Sequence, residues 1–219
     1  MNIVKHAVIA AAGFGSRLNR GIPKCLVEVN GHKIIEYQLA QLQEIPDVRL
    51  VVGYHADEVI QAVKQLRQDV KFIINDCYDT TTTLQSYYMG CCDLHDYFLL
   101  LDGDIIPHKE SFSNFLKKFC NQNLIGIART NTEDAVFVQV DEDNRICEFA
   151  REKHSSYEWS NIAIVHSDQL TDDPIYVYQC LEKLLPVQAI PVKRLEIDTP
   201  MDMRYATEAM LGNPKGYMI

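Results

Sequence analysis

A glycine-containing loop supplies the first residues whose types and spacing could do chemistry. The segment Ala11-Ala-Gly-Phe-Gly-Ser-Arg-Leu18 directly follows a short apolar run. Gly13 and Gly15 permit positive φ angles and a close backbone approach, so amide N–H groups can converge on phosphate oxygens. The loop is not GxGxxG, because Leu18 stands at the third glycine position, and no Gly-Lys-Ser/Thr of a Walker loop follows. A lone GxG is also compatible with a simple tight turn, so the loop indicates phosphate binding only together with other residues.

Two cations lie close to this loop. Arg17 offers a planar guanidinium fork for a polyphosphate tail, and Lys24, which follows Pro23, offers a compact charge for one phosphoryl oxygen. Taken singly, Arg17 could be a solvated loop cation and Lys24 a surface lysine. In combination with the glycine loop, they predict a site for a nucleoside triphosphate.

Carboxylates in two other segments could hold a divalent cation. Asp102-Gly-Asp104 closes an apolar run, and Glu196-Ile-Asp198-Thr-Pro-Met-Asp202 forms a second acidic cluster. Two carboxylates and substrate phosphates are ligands that suit Mg²⁺. Structural roles stay open for the same residues, because Asp198-Thr-Pro is also a good helix start, Asp202 suits a first helical turn, and Asp102 could bind backbone amides.

The apolar periodicity predicts the elements that must position these groups. Strands alternate with helices in the first half of the chain, which is typical of a parallel, doubly wound sheet whose ligands bind beyond the carboxyl ends of the strands. We therefore expect an α/β, Rossmann-like doubly wound, mostly parallel (mixed) sheet of about seven strands, with helices on both faces and a small antiparallel hairpin. The predicted strands are 7–12, 48–53, 71–74, 97–101, 124–128, 135–140, 145–149, 162–165 and 188–192, and the predicted helices are 34–42, 56–66, 84–92, 112–119, 175–185 and 201–210.

Composition limits the class of protein. The chain has 219 residues, of which 47% are hydrophobic and 23% charged, with a formal net charge of −9. This apolar fraction can form a core, and with neither repeats nor linkers we expect one catalytic domain over 1–219. The acidic balance argues against general nucleic-acid binding, and with no long apolar run or signal segment we expect neither a membrane span nor secretion. Seven cysteines without zinc spacing favour reduced thiols and a cytoplasmic location.

The first motif and its continuation resemble the signature of nucleotidyltransferases that activate sugar 1-phosphates and related phosphomonoesters. The resemblance extends over nearly the whole chain and is greatest to the bacterial phosphocholine cytidylyltransferase branch. It rests on Ala11-Ala-Gly-x-Gly-x-Arg-Leu18, Pro23-Lys-Cys-Leu-Val-Glu-Val-Asn-Gly31, Ile35-Glu-Tyr-Gln38, Val51-Val-Gly-Tyr54 and Asn75-Asp-Cys-Tyr78. The chain departs from that branch twice. Only five residues separate Arg17 from Pro23, and Thr82 and Thr83 stand where asparagines are common.

The resemblance implies a role for each site residue. Asp104 and Asp198 would hold the catalytic Mg²⁺, and Asp102 would contribute through water or orient a ligand. Lys24, Arg17 and Asp104 would be catalytic, with Lys24 steadying charge on the α-phosphoryl group and Arg17 holding the leaving pyrophosphate. The implied nucleotide-binding residues are Ala11, Ala12, Gly13, Phe14, Gly15, Ser16, Arg17, Lys24, Thr82 and Thr83.

The implied acceptor-binding residues are Glu158, Trp159, Asn161 and Tyr87. An aromatic face beside an acid suits a quaternary ammonium such as choline. Other interpretations stay open, since Trp159 could pack under the sheet edge, Tyr87 could be core, and Asn161 could bind the hydroxyls of a sugar.

These implications predict a Mg²⁺-dependent enzyme that couples a nucleoside triphosphate, CTP being favoured, to a phosphomonoester such as phosphocholine and releases pyrophosphate. A sugar 1-phosphate, an inositol phosphate or a phosphonate is the alternative acceptor. The alternative without catalysis is a nucleotide-binding regulatory domain. A homodimer stays open.

Overall fold

A nine-stranded mixed sheet dominates the computed structural model, which describes residues 3–15, 18, 21–130 and 135–219. The strands are β1 (His6–Ala11), β2 (Glu28–Val29), β3 (His32–Lys33), β4 (Asp47–Val52), β5 (Lys71–Ile74), β6 (Tyr97–Asp102), β7 (Ile105–Pro107), β8 (Leu124–Arg129), β9 (Phe137–Val140), β10 (Arg145–Ala150), β11 (Tyr157–His166), β12 (Val187–Pro191) and β13 (Arg194–Glu196). The helices are α1 (Ile34–Gln41), α2 (Ala56–Leu66), α3 (Thr83–Cys91), α4 (Lys109–Lys117), α5 (Val177–Leu181) and α6 (Pro200–Gly212). The order across the large sheet is β5-β4-β1-β6-β11-β8-β12-β10-β9.

The first four strands of that order are parallel, as the strand–helix alternation predicts. β1 lies between β4 and β6, and the register pairs Ala10 with Asp102. The carboxyl ends of β1 and β6 therefore lie side by side. This places the glycine loop next to Asp102-Gly-Asp104, although about ninety positions separate them in sequence.

Antiparallel strands extend the sheet on the other side. β11 pairs antiparallel with both β6 and β8, and β9 with β10 forms the predicted hairpin around 141–144. β12 is parallel to β8. The sheet thus has nine strands when the two of the hairpin are included, against an expectation of about seven strands and a hairpin. Two further pairs, β13 with β7 and β2 with β3, were not predicted, since strands of two or three residues show no periodicity.

Helices cover both faces of the sheet, which confirms the doubly wound prediction. Along β1, Ala7 and Ile9 belong to one buried cluster and Val8 to another. The first cluster includes apolar residues of α1, α2 and α4, and the second those of α3 and α5. Within the described part of the chain, none of the helices is long and apolar enough to cross a bilayer.

An ion-pair cluster joins the start of β4 to its neighbouring strands. The carboxylate of Asp47 contacts His6 Nδ1 at 2.7 Å, Lys71 Nζ at 2.8 Å and Arg49 Nε at 3.0 Å. Burial opposes ionisation of Asp47, but hydrogen bonds from Lys71, His6 and Arg49 outweigh it and lower its pKa to about 2. The cluster thus ties β1, β4 and β5 together through one ionised carboxylate.

Candidate active site

A cavity of about 790 Å³ opens beyond the carboxyl ends of β1 and β6. Its volume lies within the range of small-molecule sites, about 300–1,000 Å³. It contains most of the residues that the sequence singles out, together with residues of the second half of the chain. Predicted site residues that line it are Ala11, Ala12, Gly13, Gly15, Lys24, Thr82, Thr83, Asp104, Glu158, Trp159, Asn161 and Asp198.

Lys24 joins the two carboxylates that were predicted to bind metal. Its Nζ donates to Oδ2 of Asp104 at 2.7 Å and also to Oδ1 of Asp198. Burial opposes the charged ammonium, but the charges of Asp104 and Asp198 outweigh it, so the pKa of Lys24 is raised above its ordinary value. Lys24 therefore stays a cation at any physiological pH, which suits a group that neutralises phosphoryl oxygens.

Gly15 brings the glycine loop against this lysine. Its φ is +62°, which favours glycine, and a Cβ on it would lie 2.8 Å from Cγ of Lys24. Lys24 itself lies in a single 3₁₀ turn, Lys24–Leu26, which begins after Pro23. The absence of a side chain at Gly15 thus lets the lysine pass the loop and reach Asp104 and Asp198.

The turn that carries Asp104 is fixed by buried contacts. Gly103 N–H donates to the carbonyl of Ala10 at 2.9 Å, and a Cβ at Gly103 would lie 2.8 Å from the same oxygen. Gln38, which is fully buried, donates to the carbonyls of Asp102 and Ile105 at 2.7 and 2.8 Å. The turn after β6 is therefore held by β1 on one side and by α1 on the other.

The start of α6 positions Asp198. Thr199 is the N-cap of this helix, and Pro200 occupies its first position, as the Asp-Thr-Pro sequence suggests. Asp202 accepts hydrogen bonds from the backbone N–H groups of Asp198 at 3.1 Å and Thr199 at 2.7 Å. Asp202 thus has the structural role at the first turn that its position indicated, while Asp198 points its carboxylate to Lys24.

The structure does not place Tyr87 at the cavity, which corrects its predicted position in the acceptor site. The side chain is completely buried in the core, and its hydroxyl donates to Oδ1 of Asp102 at 2.5 Å. Burial and the neighbouring charge of Asp104 raise the pKa of Asp102 to about 8, although the Tyr87 hydrogen bond opposes the shift. The helical spacing of Tyr87 reflects packing under the sheet, and its hydroxyl binds the half-buried carboxylate of Asp102.

The threonine loop caps the third helix. Thr82 is the N-cap of α3, and it exchanges hydrogen bonds with Gln85 in a capping box. Thr82 and Thr83 both line the cavity. They therefore offer hydroxyls at the place where asparagines were expected.

Glu158, Trp159 and Asn161 all belong to β11 and lie together at the cavity. The ladder is irregular between Trp159 and Ala163, and Asn161 has a φ of +58° there. Nη2 of Arg194 lies 3.2 Å from Glu158 Oε1 and 3.0 Å from Glu196 Oε2, and Asn161 Nδ2 donates to Glu196 at 3.4 Å. Burial raises the pKa of Glu196 to about 7, despite Arg194. The acids in this wall are thus already engaged by an arginine.

Three residues of the predicted nucleotide site need separate comment. Ser16 and Arg17 lie outside the described residues. Phe14 is 57% exposed and packs on Tyr54, with ring centroids 4.5 Å apart, and its side chain is not part of the cavity wall. The structure therefore does not place Phe14 in the predicted nucleotide site, although its neighbours Gly13 and Gly15 line the cavity.

Sequence reasoning missed the buried Gln38 and several cavity residues, including Arg151, Tyr176, Tyr178 and Arg194. Arg151 follows β10, the two tyrosines stand at the start of α5, and Arg194 begins β13. An arginine followed two positions later by a glutamate, at 194 and 196, was the only local signal for an ion pair. The fold alone brings Arg151 to the two tyrosines.

The donor set at Lys24 consists of two carboxylates. Among the residues that the structure describes, no three His, Cys, Asp or Glu side chains cluster in a way that could hold a metal ion. Oδ1 of Asp104 is buried and accepts no hydrogen bond from the described residues. Any metal ion here would thus have two aspartates as its protein ligands and would take the rest from water or substrate.

Comparison with known proteins also points to a nucleotide-binding site. Residues 7–189 match the family model described as MobA-like NTP transferase domain. A choline-phosphate cytidylyltransferase of Streptococcus pneumoniae is 34% identical over 117 residues, which is 51% of this chain and 50% of that protein. A CTP:phosphoglutamine cytidylyltransferase of Campylobacter jejuni is 36% identical over 89 residues, 38% of this chain and 34% of that protein. The matches thus span half or less of these relatives.

Solved structures share the fold. The inositol-1-phosphate CTP transferase from T. maritima superposes with a TM-score of 0.79 at 17% identity, covering 96% of this chain and 98% of that one. The CTP:phosphocholine cytidylyltransferase from Streptococcus pneumoniae gives a TM-score of 0.76 at 23% identity, covering 95% and 100%. At these identities the likeness concerns the fold, and it agrees with the predicted α/β class.

Proposed function

We propose that this chain, which belongs to the MobA-like NTP transferase domain family, transfers a cytidylyl group from CTP to a phosphomonoester. An oxygen of the acceptor phosphate attacks the α-phosphorus of CTP, a new P–O–P link forms, and the bond to the β-phosphate breaks with release of pyrophosphate. The acceptor phosphate is already an anion near pH 7, so the reaction needs no general base from the protein. Catalysis is then positioning and neutralisation of charge.

The observation that carries the proposal is the position of Lys24. Its ammonium lies against Asp104 and Asp198, next to the glycine loop and inside a cavity large enough for two ligands. Amide groups of the loop would hold the phosphates of CTP, and Lys24 would move from its carboxylates toward the α-phosphoryl oxygens. The buried glycine and glutamine contacts behind Asp104 limit the motion of the acids during that exchange.

Asp104 and Asp198 fit a Mg²⁺ ion. Both offer carboxylate oxygens to a common point, and Oδ1 of Asp104 has no partner among the described residues. When bound, Mg²⁺ would neutralise phosphate charge and favour the in-line arrangement of the two substrates. A metal held by two protein ligands would leave coordination positions for phosphate oxygens, which matches the proposed reaction.

The test is a coupled pyrophosphate assay with four nucleoside triphosphates. The acceptors are phosphocholine, phosphoserine, inositol 1-phosphate and glucose 1-phosphate, which include the acceptor predicted from the sequence and two of its alternatives. We expect turnover with CTP and Mg²⁺, loss with excess EDTA, and recovery when Mg²⁺ is added back. Turnover with another nucleotide alone would overturn the choice of CTP.

Variants of the lysine and its acids complete the test. Lys24→Ala should lower kcat by about 10²–10³-fold, the usual cost of losing one preorganised donor to a reacting phosphate. Asp104→Asn and Asp198→Asn should weaken Mg²⁺ activation. Lys118→Ala is the matched control, since Lys118 is exposed and lies outside the cavity wall. Unchanged activity in Lys24→Ala would contradict the proposed role of this lysine, and no turnover with any pair would favour the regulatory binding domain instead.

A further inference from the structure

Arg151 stacks on two tyrosines at the wall of the cavity. Its Cζ lies 4.9 Å from the ring centroid of Tyr176 and 5.7 Å from that of Tyr178, and the two rings are stacked 5.9 Å apart at an interplanar angle of 16°. All three residues line the cavity. A guanidinium that lies over an aromatic face keeps its N–H edges available for a planar anion. No Asp or Glu in the described part of the chain forms an ion pair with it.

Trp159 adds a second donor that lacks an acceptor. The residue is 6% exposed and lines the cavity, and its Nε1–H has no hydrogen-bond partner among the described residues. This N–H is closed to solvent and makes no hydrogen bond, which is unfavourable, and a small turn of the indole toward the cavity would let a ligand oxygen accept from it. The indole N–H and the guanidinium are both donors only. The wall therefore favours a ligand that brings acceptor oxygens.

Two of the features that a quaternary ammonium could use at this wall are already occupied by arginines. Arg151 covers the face of Tyr176, and Glu158 is 2% exposed and lies 3.2 Å from Arg194. A choline head group binds through open aromatic faces with acids nearby. At these two places it would have to displace one arginine from its rings and compete with another for its acid.

We propose, on the basis of the proposed cytidylyl transfer, that Arg151 and Trp159 select phosphomonoester acceptors that carry a carboxylate. The phosphate of the acceptor would lie near Lys24 and the carboxylate would accept hydrogen bonds from the guanidinium edge and the indole N–H. Tyr176 and Tyr178 hold the guanidinium in place for that contact.

Phospho-L-serine and phosphoethanolamine provide a matched pair of acceptors, because they differ only in the carboxylate. We expect kcat/KM with CTP to be about 10–100-fold higher for phospho-L-serine, the range of a hydrogen-bonded charge pair. Arg151→Gln should reduce that ratio to near one through a higher KM for phospho-L-serine. Trp159→Phe keeps an aromatic ring but removes the N–H, and it should lower the ratio by a smaller factor.

Arg129→Gln is the control variant. Arg129 is also exposed and stacks on a tyrosine, with Cζ 4.7 Å from the Tyr157 centroid, but it does not line the cavity. It should leave the ratio unchanged. The proposal is overturned if the wild type prefers phosphoethanolamine or phosphocholine, or if Arg151→Gln and Arg129→Gln have the same ratio as the wild type.

Equilibrium binding separates this proposal from the proposed reaction. Isothermal titration calorimetry would measure the affinity of phospho-L-serine and phosphoethanolamine for enzyme saturated with a non-hydrolysable CTP analogue and Mg²⁺. If no acceptor is turned over but phospho-L-serine binds more tightly and loses that advantage in Arg151→Gln, the selectivity stands and the reaction fails. If the two acceptors bind equally, the selectivity fails whatever the activity.

Discussion

Substitution of Gly15 by alanine should have two effects: it should displace Lys24, which lowers activity, and it should strain the backbone, which lowers stability. Gly15 has a φ of +62°, and a Cβ there would lie 2.8 Å from Cγ of Lys24. The left-handed conformation costs an alanine about 1–2 kcal/mol. For a domain of this size, that corresponds to a fall in Tm of about 2–8 °C. The contact with Lys24 adds an effect on activity. Cγ lies near the backbone end of the lysine side chain, so making room for the new methyl group also moves the ammonium.

Gly31→Ala is the matched control for the backbone. Gly31 has a φ of +85° in the turn between β2 and β3, and no atom lies within 4 Å of its Cβ position. It should therefore lose a similar amount of stability without disturbing Lys24. We expect kcat of Gly15→Ala to fall by at least about tenfold, which is less than the fall expected when the donor is lost altogether. The kcat of Gly31→Ala should stay within about twofold of the wild-type value.

The assay is pyrophosphate release at saturating CTP and acceptor, with Tm measured by differential scanning calorimetry on the same preparations. Equal activity of the two alanine variants would refute the reasoning, because the loop would then not control the position of the lysine. A loss of Tm in Gly31→Ala alone would refute the account of Gly15 as a strained position.

Three further predictions concern stability. Asp47→Asn should cost about 1–2 kcal/mol at neutral pH, since the pKa of Asp47 is about 2 in the fold against an ordinary 3.8. That stabilisation is full above pH 4 and is lost as the pH falls toward 2, so urea unfolding of the two proteins should converge there. Gly103→Ala should destabilise the fold by at least about 2 kcal/mol in urea unfolding, because its Cβ would meet the carbonyl of Ala10 at 2.8 Å; a neutral result would contradict the tight junction of β1 and β6. Tyr87→Phe removes the donor to half-buried Asp102 and should cost about 1–3 kcal/mol by the same method, and no loss would mean that the acid has another partner.

Periodicity predicted the parallel half of the fold well because its elements are regular. The helix over 56–66 and the strand over 71–74 have the bounds that the sequence indicated. The strand predicted at 162–165 is only the last part of β11, which begins at Tyr157. The irregularity near Asn161 breaks the alternation of buried and exposed positions, so the first half of this strand has no regular pattern. The helix predicted over 175–185 ends at Leu181, where a 3₁₀ turn, Glu182–Leu184, replaces it.

The cluster of Lys24, Asp104 and Asp198 was predictable because its residues lie in motifs, and the cavity wall around Arg151 was not. Lys24, Asp104 and Asp198 stand beside a proline, a glycine or a helix start, so local sequence marked them. The partnership of Arg151 with Tyr176 and Tyr178 depends on how β10 ends and α5 begins in space. Tyr87 shows a different limit of sequence reasoning. Its helical spacing does not tell whether the ring lies in the core or faces the cavity, because that depends on which residues pack on it.

The most direct test of cytidylyl transfer is ³¹P NMR of the wild-type protein with CTP, Mg²⁺ and the acceptor panel. We predict that the CTP resonances are replaced by two coupled doublets of a new P–O–P diester and by free pyrophosphate in equal amount, with Lys24→Ala leaving the CTP spectrum unchanged over the same period. Persistence of CTP with the wild-type protein, or its conversion to CMP without a new diester, would contradict the account.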